Sequence, residues 1–146
     1  MIAMIWLPLL LSSLLLCPSR GDADLAYRIR LVQAVSADVT TTPHERRILM
    51  RIAWLEGGYL ERVGDCRTTG DQGRAVGPWQ HLDAPPEMRE RICLDLAYAA
   101  VVARTDVRRS VAACRHLPAP ERLAVFARGR CDSEEGRRLS RHRWSE

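Results

Sequence analysis

Lysine is absent from this sequence, and all 22 of its basic residues are arginine. The 18 acidic residues leave a formal net charge of +4. Such a charge suits binding to an anionic polymer, nucleic acid included. However, no DNA- or RNA-binding motif accompanies the arginines, so we predict that nucleic acid is not a partner. Internal repeats are also lacking, and 146 residues suit a single domain.

Closely spaced metal ligands are missing as well. The sequence has no Cys-x-x-Cys pair and no cluster of Cys and His, so we predict neither a metal nor another cofactor. Its histidines lack ligand spacing and are expected at the surface: His44, His81, His116 and His142.

Cysteine is sparse, and four of the five cysteines lie outside the apolar N-terminus. An even number in a small, exported domain favours two disulfides over a metal site. Sequence alone allows three pairings. We favour Cys66 with Cys93 and Cys114 with Cys131, because each bond would tether a loop to its neighbouring helix. Closing such loops stabilises a fold by roughly 2 to 4 kcal/mol.

The N-terminus carries an apolar run, residues 1–17, in which Ser12 and Ser13 are the only polar members. Pro18, Ser19, Arg20 and a Gly-Asp-Ala step ending at Ala23 follow. This order is typical of a signal peptide and its cleavage site, although a basic residue ahead of the run is missing. A helix of 17 residues reaches about 25 Å, short of the roughly 30 Å hydrocarbon core of a bilayer. A stable membrane span is therefore the weaker interpretation.

We predict that residues 1–23 form a signal peptide and that residues 24–146 are exported as one domain, a monomer that contacts the membrane only transiently through its leader. A lipoprotein signal is the alternative. It is disfavoured because Leu16, rather than a small residue, precedes Cys17.

Helical periodicity begins directly after the leader. Apolar residues recur at helical spacing in residues 24–39 and predict an amphipathic helix. Thr42, Pro43 and Glu45 then form a capping-box pattern that predicts the start of a second helix. This helix should end at Gly57-Gly58, because glycine readily adopts the left-handed conformation that closes a helix.

The remainder of the chain also has helical patterns. We predict a helix from about residue 84 to 104, a shorter one capped by Thr105-Asp106 and reaching Cys114, one from 118 to 129, and a short one from 133 to 139. We expect strands only as a pair inside the glycine-rich loop of residues 54–83. The predicted fold class is mainly α, a helical bundle with a small irregular Gly-rich lobe.

The glycine-rich loop is the best candidate for function. It contains six glycines between two helical patterns, and long ordered loops usually bind or react. Glu56 lies in the last turn of the preceding helix, near the negative end of the helix dipole. This field, with desolvation by neighbouring aromatic rings, would favour the protonated carboxyl group. A general acid requires that state.

Three motifs in this region resemble a known family. The helix end AWLEGGY carries Glu56, and the loop GDQGRAVGPWQ of residues 70–80 fits the pattern G-D-x-G-x-x-x-G-x-x-Q. The third motif is VFARG at residues 125–129, where lytic transglycosylases have Ala-Tyr-Asn-Ala-Gly. Through these motifs, of which the second is the most specific, residues 42–129 resemble goose-type lysozymes and the related lytic transglycosylases of the lysozyme-like superfamily.

The resemblance implies an α+β lysozyme-like fold and an enzyme that cleaves peptidoglycan glycan strands between N-acetylmuramic acid and N-acetylglucosamine. Glu56 would then be the general acid. In an inverting hydrolase a second carboxylate, about 6.5 to 9.5 Å away, activates water. We expect Asp71 in that role, with Asp65 and Asp83 as less favoured substitutes. Asp71 as a simple turn-forming residue is the alternative.

Other residues of the loop are expected to contact the sugar. Gly73 and Gly77 would let the backbone approach it closely. Gln80 would bind an N-acetyl group or hold the loop. Tyr59 and Trp79 offer flat faces for sugar rings, with burial of Trp79 in the core as the alternative.

Two departures from the family pattern leave the activity open. Gly57 stands where the family has Ser after the catalytic Glu, and Phe126 in the candidate substrate site replaces a Tyr whose hydroxyl lies near the acid. The alternatives are a lytic transglycosylase that uses Glu56 alone and a non-catalytic module that binds the cell wall. The arginine cluster of residues 137–143 is expected to be a solvated face.

Overall fold

The structure is a computed structural model that describes residues 3–16 and 21–144. The described residues form mostly α-helices with one two-stranded sheet, which confirms the mainly α fold class. The helices are α1 (Ala3–Leu16), α2 (Asp22–Ser36), α3 (Pro43–Gly57), α4 (Glu61–Gly64), α5 (Pro86–Leu94), α6 (Leu96–Ala113), α7 (Ala124–Arg128) and α8 (Glu134–Arg143). Short 3-10 turns occur at Asp71–Gly73 and Ala119–Glu121.

Helix α3 lies at the centre of the core. It packs against α2, α6 and α8, and its side chains at Ile48, Leu49, Ile52 and Ala53 are almost completely buried. Small residues of α6, among them Ala99, Ala100 and Ala103, allow close packing at the same core. This burial fixes the direction in which the C-terminal end of α3 points.

Both ends of α3 follow the sequence prediction. The Thr42 hydroxyl accepts from the Glu45 backbone N–H at 3.2 Å, and the Glu45 carboxylate accepts from the Thr42 N–H at 2.8 Å. This reciprocal pair is the predicted capping box. At the other end Gly58 has φ +58°, the left-handed conformation that ends the helix.

The glycine-rich loop folds as the small irregular lobe. Strands β1 (Ala75–Val76) and β2 (His81–Leu82) pair antiparallel, with Ala75 opposite Leu82. The predicted strand pair inside the loop is therefore confirmed.

The predicted disulfide pairing is also confirmed. Cys66 bonds Cys93, and Cys114 bonds Cys131, each with a Cα–Cα distance of 5.5 Å. The first disulfide ties the lobe to α5. The second ties the end of α6 to the segment between α7 and α8.

The later helix boundaries differ from the prediction. The predicted helix to residue 104 is two helices, because Asp95 leaves the helical conformation and its side chain caps α6 by accepting from the Tyr98 N–H at 3.0 Å. No break occurs at Thr105-Asp106, since the Thr105 hydroxyl donates to the Val101 carbonyl inside a continuous α6. Helix α8 also extends beyond residue 139.

Helix α1 occupies most of the predicted signal peptide. It packs against α2 and α3, with Leu10 and Ser13 buried, and Arg28 Nη1 donates to the Ser13 carbonyl at 3.2 Å. Residues 17–20, which include Cys17 and much of the predicted cleavage region, lie outside the described residues. Among the described helices, none has the length and apolar character needed to cross a membrane.

Candidate active site

An open cleft of about 580 Å³ lies between the lobe and helices α6, α7 and α8. Its volume is in the usual range for small-molecule sites. Of the candidate site residues, Glu56, Asp71, Trp79, Gln80 and Phe126 line it. Its charged residues come from five separate segments: Glu56, Asp71, Asp106, Arg109, Arg128 and Arg143.

Glu56 lies in the last turn of α3, and its carboxylate forms an ion pair with Arg143 of α8. Arg143 Nε donates to Glu56 Oε1 at 3.1 Å, and Arg143 Nη2 donates to the same oxygen. The Glu56 side chain is 25% exposed and the Arg143 side chain 10% exposed. The pair holds the Glu56 carboxyl group at Arg143, whereas a general acid has to be free to contact the glycosidic oxygen.

Asp71 lies in the 3-10 turn on the lobe, across the cleft. Its Oδ2 is 3.2 Å from Arg74 Nη1, and its side chain is 53% exposed. Asp71 and Gln72 both have left-handed φ angles, +47° and +55°. Non-glycine residues rarely adopt this conformation, and it is often found at functional sites. The structure thus presents this carboxylate to solvent inside the cleft.

The two substitutes for Asp71 are not cleft-lining residues, so they are excluded from this role. Asp83 forms a forked ion pair with Arg74, at 2.9 and 2.6 Å. The hydrogen bond from this guanidinium lowers the pKa of Asp83 below its usual value. Asp65 pairs with Arg67 at 2.7 Å. Both carboxylates stabilise turns of the lobe.

The predicted aromatic sugar platform is wrong for Tyr59. Tyr59 is 3% exposed and does not line the cleft, because its hydroxyl donates to the Met50 carbonyl and its ring packs beside Trp54. Trp79 is only 1% exposed, and its Nε1 donates to the Leu49 carbonyl at 2.8 Å. Trp79 forms the floor of the cleft as a core residue, which was the alternative interpretation.

Glycine and glutamine in the lobe serve its packing. Gly77 does not line the cleft; with φ +79°, a Cβ there would come within 2.5 Å of Ile92 Cγ2. Its close approach is therefore to α5 and not to a sugar, contrary to the prediction. Gln80 Nε2 donates to the Gly77 carbonyl at 2.9 Å, and a Cβ on Gly70 would collide with the Gln80 amide oxygen. Gln80 holds the loop while facing the cleft.

Phe126 lies on α7 at the opposite wall. Its side chain lines the cleft, and its backbone N–H donates to the Ser110 hydroxyl at 3.0 Å. The third motif is thus brought to the same cavity as the other two. The hydroxyl that a tyrosine would supply at this position is missing from the wall.

Several charged residues of the cleft were not predicted. His81 is 8% exposed rather than at the surface, and its Nδ1 lies 3.7 Å from Asp106 Oδ2. Arg109 Nη1 is 3.3 Å from the other oxygen of Asp106. Arg128 is paired with Glu135, whose carboxylate raises the pKa of Arg128. The alternating direction of strand side chains could have indicated that one of His81 and Leu82 points inward.

Arg143 corrects the prediction of a solvated arginine cluster at residues 137–143. Its contact with Glu56 spans 87 residues of sequence, and no local pattern reports such a contact. Within residues 3–16 and 21–144, no group of three or more His, Cys, Asp or Glu side chains is arranged to hold a metal ion.

The chain matches no protein-family model, no curated protein and no solved structure. The resemblance to goose-type lysozymes therefore remains a prediction from the motifs.

Proposed function

We propose that the protein is a muramidase, a glycosidase that cleaves peptidoglycan at the β-1,4 bond between N-acetylmuramic acid and N-acetylglucosamine. The observation that carries this proposal is the convergence of the three motifs. Glu56 lines the same cleft as Asp71 and Gln80 of the neighbouring loop, and Phe126, which is distant in sequence, lines it from α7. A chance resemblance of three short motifs gives no reason for them to meet.

The chemistry assigns one role to each carboxylate. Glu56 in its protonated form donates its proton to the glycosidic oxygen as the bond to the leaving sugar breaks. Asp71 accepts a proton from a water molecule that attacks the opposite face of the sugar. Its exposure and its position across the cleft suit contact with that water.

A lytic transglycosylase is the closest alternative, and the Asp71–Arg74 ion pair favours it over hydrolysis. Asp71 would have to leave Arg74 before it could act on the attacking water. In the transglycosylase reaction Glu56 acts alone, because a hydroxyl of the substrate itself attacks and leaves an anhydro sugar. Mass spectrometry of the released muropeptides separates the two, since hydrolysis yields reducing ends and transglycosylation yields anhydro ends.

A non-catalytic cell-wall-binding module is supported by a different observation. Arg143 engages the Glu56 carboxyl group, which is the group that would have to donate the proton. A cleft in which this pair is permanent could bind a glycan without cutting it. Peptidoglycan would be the partner in all three cases.

The two disulfides support export, because such bonds persist in oxidising compartments such as the periplasm or the extracellular space. Peptidoglycan is found there. We propose that the chain is exported through its apolar N-terminus and acts in the cell envelope or outside the cell.

The decisive experiment compares Glu56→Gln with the wild type on purified sacculi. We expect wild-type protein to clear them and the variant to be slower by about 10²- to 10⁴-fold, the usual contribution of a general acid. Glu90→Gln is the matched control, because Glu90 is exposed on α5 and does not line the cleft. Sacculus binding without clearing by wild-type protein would instead establish the binding module.

A further inference from the structure

The C-terminal end of α8 is fastened along α3 at three consecutive residues. Arg51 Nε donates to the His142 carbonyl at 2.5 Å, Arg143 donates to Glu56, and the Trp144 ring packs edge-on against His44 with centroids 4.8 Å apart. We call residues 142–144 the clasp. The contacts on either side of Arg143 hold its guanidinium at the cleft. The surrounding structure therefore keeps Arg143 beside Glu56.

The ion pair between Arg143 and Glu56 does not have the strongest geometry available to an arginine. Both its Nε and its Nη2 donate to Glu56 Oε1, so the two carboxylate oxygens do not each take one donor. Arginine binds a carboxylate most strongly through two parallel hydrogen bonds to two oxygens. Glu45 and Arg108 form such a fork elsewhere in this protein, at 2.6 and 2.9 Å. A carboxylate that enters the cleft could therefore compete for Arg143.

The electrostatic surroundings of Glu56 make Arg143 the dominant neighbour. Arg143 is the only one of the charged cleft-lining residues that donates a hydrogen bond to Glu56 among the described contacts. Arg128 also interacts electrostatically with Glu56, but its described hydrogen bonds go to Glu135 and to the Ala127 carbonyl. The other ionisable groups that face the same cleft are Asp71 on the lobe, His81 on β2, Asp106 and Arg109 on α6, and Arg128 on α7.

We infer that the clasp is an autoinhibitory contact, and that a carboxylate on the glycan releases it by taking Arg143 from Glu56. The inference rests on the proposed function and defines its substrate class as glycans that carry carboxylates. When Arg143 turns to the substrate carboxylate, Glu56 takes up one proton from solvent. It then donates that proton to the glycosidic oxygen, so charge and protons balance. A neutral glycan leaves the clasp closed.

The test uses two substrates. One is peptidoglycan glycan strands freed of their stem peptides by an amidase, so that the muramic acid carboxylates are no longer amide-linked, and the other is chitohexaose, which is neutral. We expect the wild type to cleave the strands and to be nearly inactive on chitohexaose. Arg143→Gln should raise the chitohexaose rate about tenfold or more, because releasing Glu56 from Arg143 frees the general acid, whose usual contribution is about 10²- to 10⁴-fold.

Arg141→Gln is the matched control. Arg141 lies on the same helix and also pairs with a glutamate, but its partner is Glu121 at 2.6 Å, outside the cleft. We expect this variant to keep the wild-type substrate preference and pH profile. Circular dichroism and thermal unfolding establish that each variant is folded.

Arg51→Gln provides a second route to the same question if Arg143→Gln does not fold. This change weakens the hold on the His142 carbonyl and leaves both Arg143 and Glu56 in place. We expect a rise in the chitohexaose rate in the same direction but smaller than that of Arg143→Gln, because this exposed hydrogen bond is only one of the contacts that hold the clasp.

The outcomes separate the clasp from the proposed function. If wild-type protein clears sacculi in a Glu56-dependent manner but Arg143→Gln is unchanged or slower on both substrates, the clasp does not inhibit and Arg143 only supports the acid. If neither the wild type nor the folded clasp variants cleave either substrate, the glycosidase proposal fails and takes the inference with it.

Discussion

The two ends of α3 are built alike and behave differently. Each carries a glutamate that is paired with an arginine from a helix far along the chain, Glu45 with Arg108 of α6 and Glu56 with Arg143 of α8. At the N-terminal end the hydrogen bonds and the dipole favour the ionised carboxylate, and together they outweigh the opposing effect of burial. Glu45 lies at the positive end of the dipole, completes the capping box and forms a fork with its arginine.

At the C-terminal end the interactions oppose each other. The dipole disfavours a carboxylate at Glu56, whereas Arg143 stabilises it. Agreement between local and long-range interactions is characteristic of structural positions, and conflict between them is concentrated at functional sites. We therefore assign a structural role to Glu45 and a functional role in the cleft to Glu56.

The largest effect should come from removing the Cys66–Cys93 disulfide, which ties the lobe to α5. Replacing both Cys66 and Cys93 by Ser opens a loop with a sequence separation of 27 and should lower the free energy of unfolding by about 3.5 kcal/mol. Urea unfolding measures this loss, and sacculus clearing should fall with it because the lobe carries Asp71. Replacing Cys114 and Cys131, with a separation of 17, should cost slightly less, about 3 kcal/mol. An unchanged stability without Cys66–Cys93 would mean that non-covalent packing alone fixes the cleft end.

A direct comparison of the two glutamates should give a smaller effect. Glu45→Gln removes a favourable dipole interaction and a forked ion pair, and we expect it to lower the free energy of unfolding by about 1 kcal/mol. Glu56→Gln removes an ion pair but also relieves an unfavourable dipole interaction, so its cost should be lower, about 0.5 kcal/mol or less. Urea unfolding of both variants at pH 7 provides the measurement. A greater cost at Glu56 would show that its pair is structural as well.

The N-terminal end of α3 could be predicted from sequence because its determinants are local. Thr42, Pro43 and Glu45 lie within four residues, and their spacing alone specifies the cap. The glycine stop at Gly58 is equally local. The disulfide pairing was also accessible, since it joins neighbouring segments.

What the sequence did not reveal depends on non-local contacts or on competing local signals. Arg143 looked like a surface arginine because its partner is 87 residues away. The break before Asp95 was missed because apolar spacing continues across it from α5 into α6. Thr105 looked like a cap, yet its hydroxyl bonds back to the Val101 carbonyl within the helix. Tyr59 looked available for a sugar because nothing in its neighbours indicates that its hydroxyl reaches Met50.

The smallest effect should be a difference in the acid dependence of stability. The hydrogen bonds from Arg108 hold the pKa of Glu45 below its usual value. A lowered pKa in the folded state stabilises the fold at neutral pH, and this contribution disappears as the pH falls through the folded-state pKa. Arg108→Gln should therefore lower the free energy of unfolding at pH 7 by about 0.5 to 1 kcal/mol and have a smaller effect at pH 3. Urea unfolding between pH 3 and pH 7 measures both values.

The part of the Arg108→Gln effect that persists at pH 3 reports the neutral contact, because Arg108 Nη2 also donates to the Thr40 carbonyl at 2.9 Å. A loss that is the same at pH 3 and pH 7 would mean that the Glu45 carboxylate contributes nothing through its charge. In that event the N-terminal end of α3 would be held by the capping box and the Thr40 contact alone. The charge of Glu45 would then stabilise the fold no more than the charge of Glu56 does, and the two glutamates would differ only in their chemical roles.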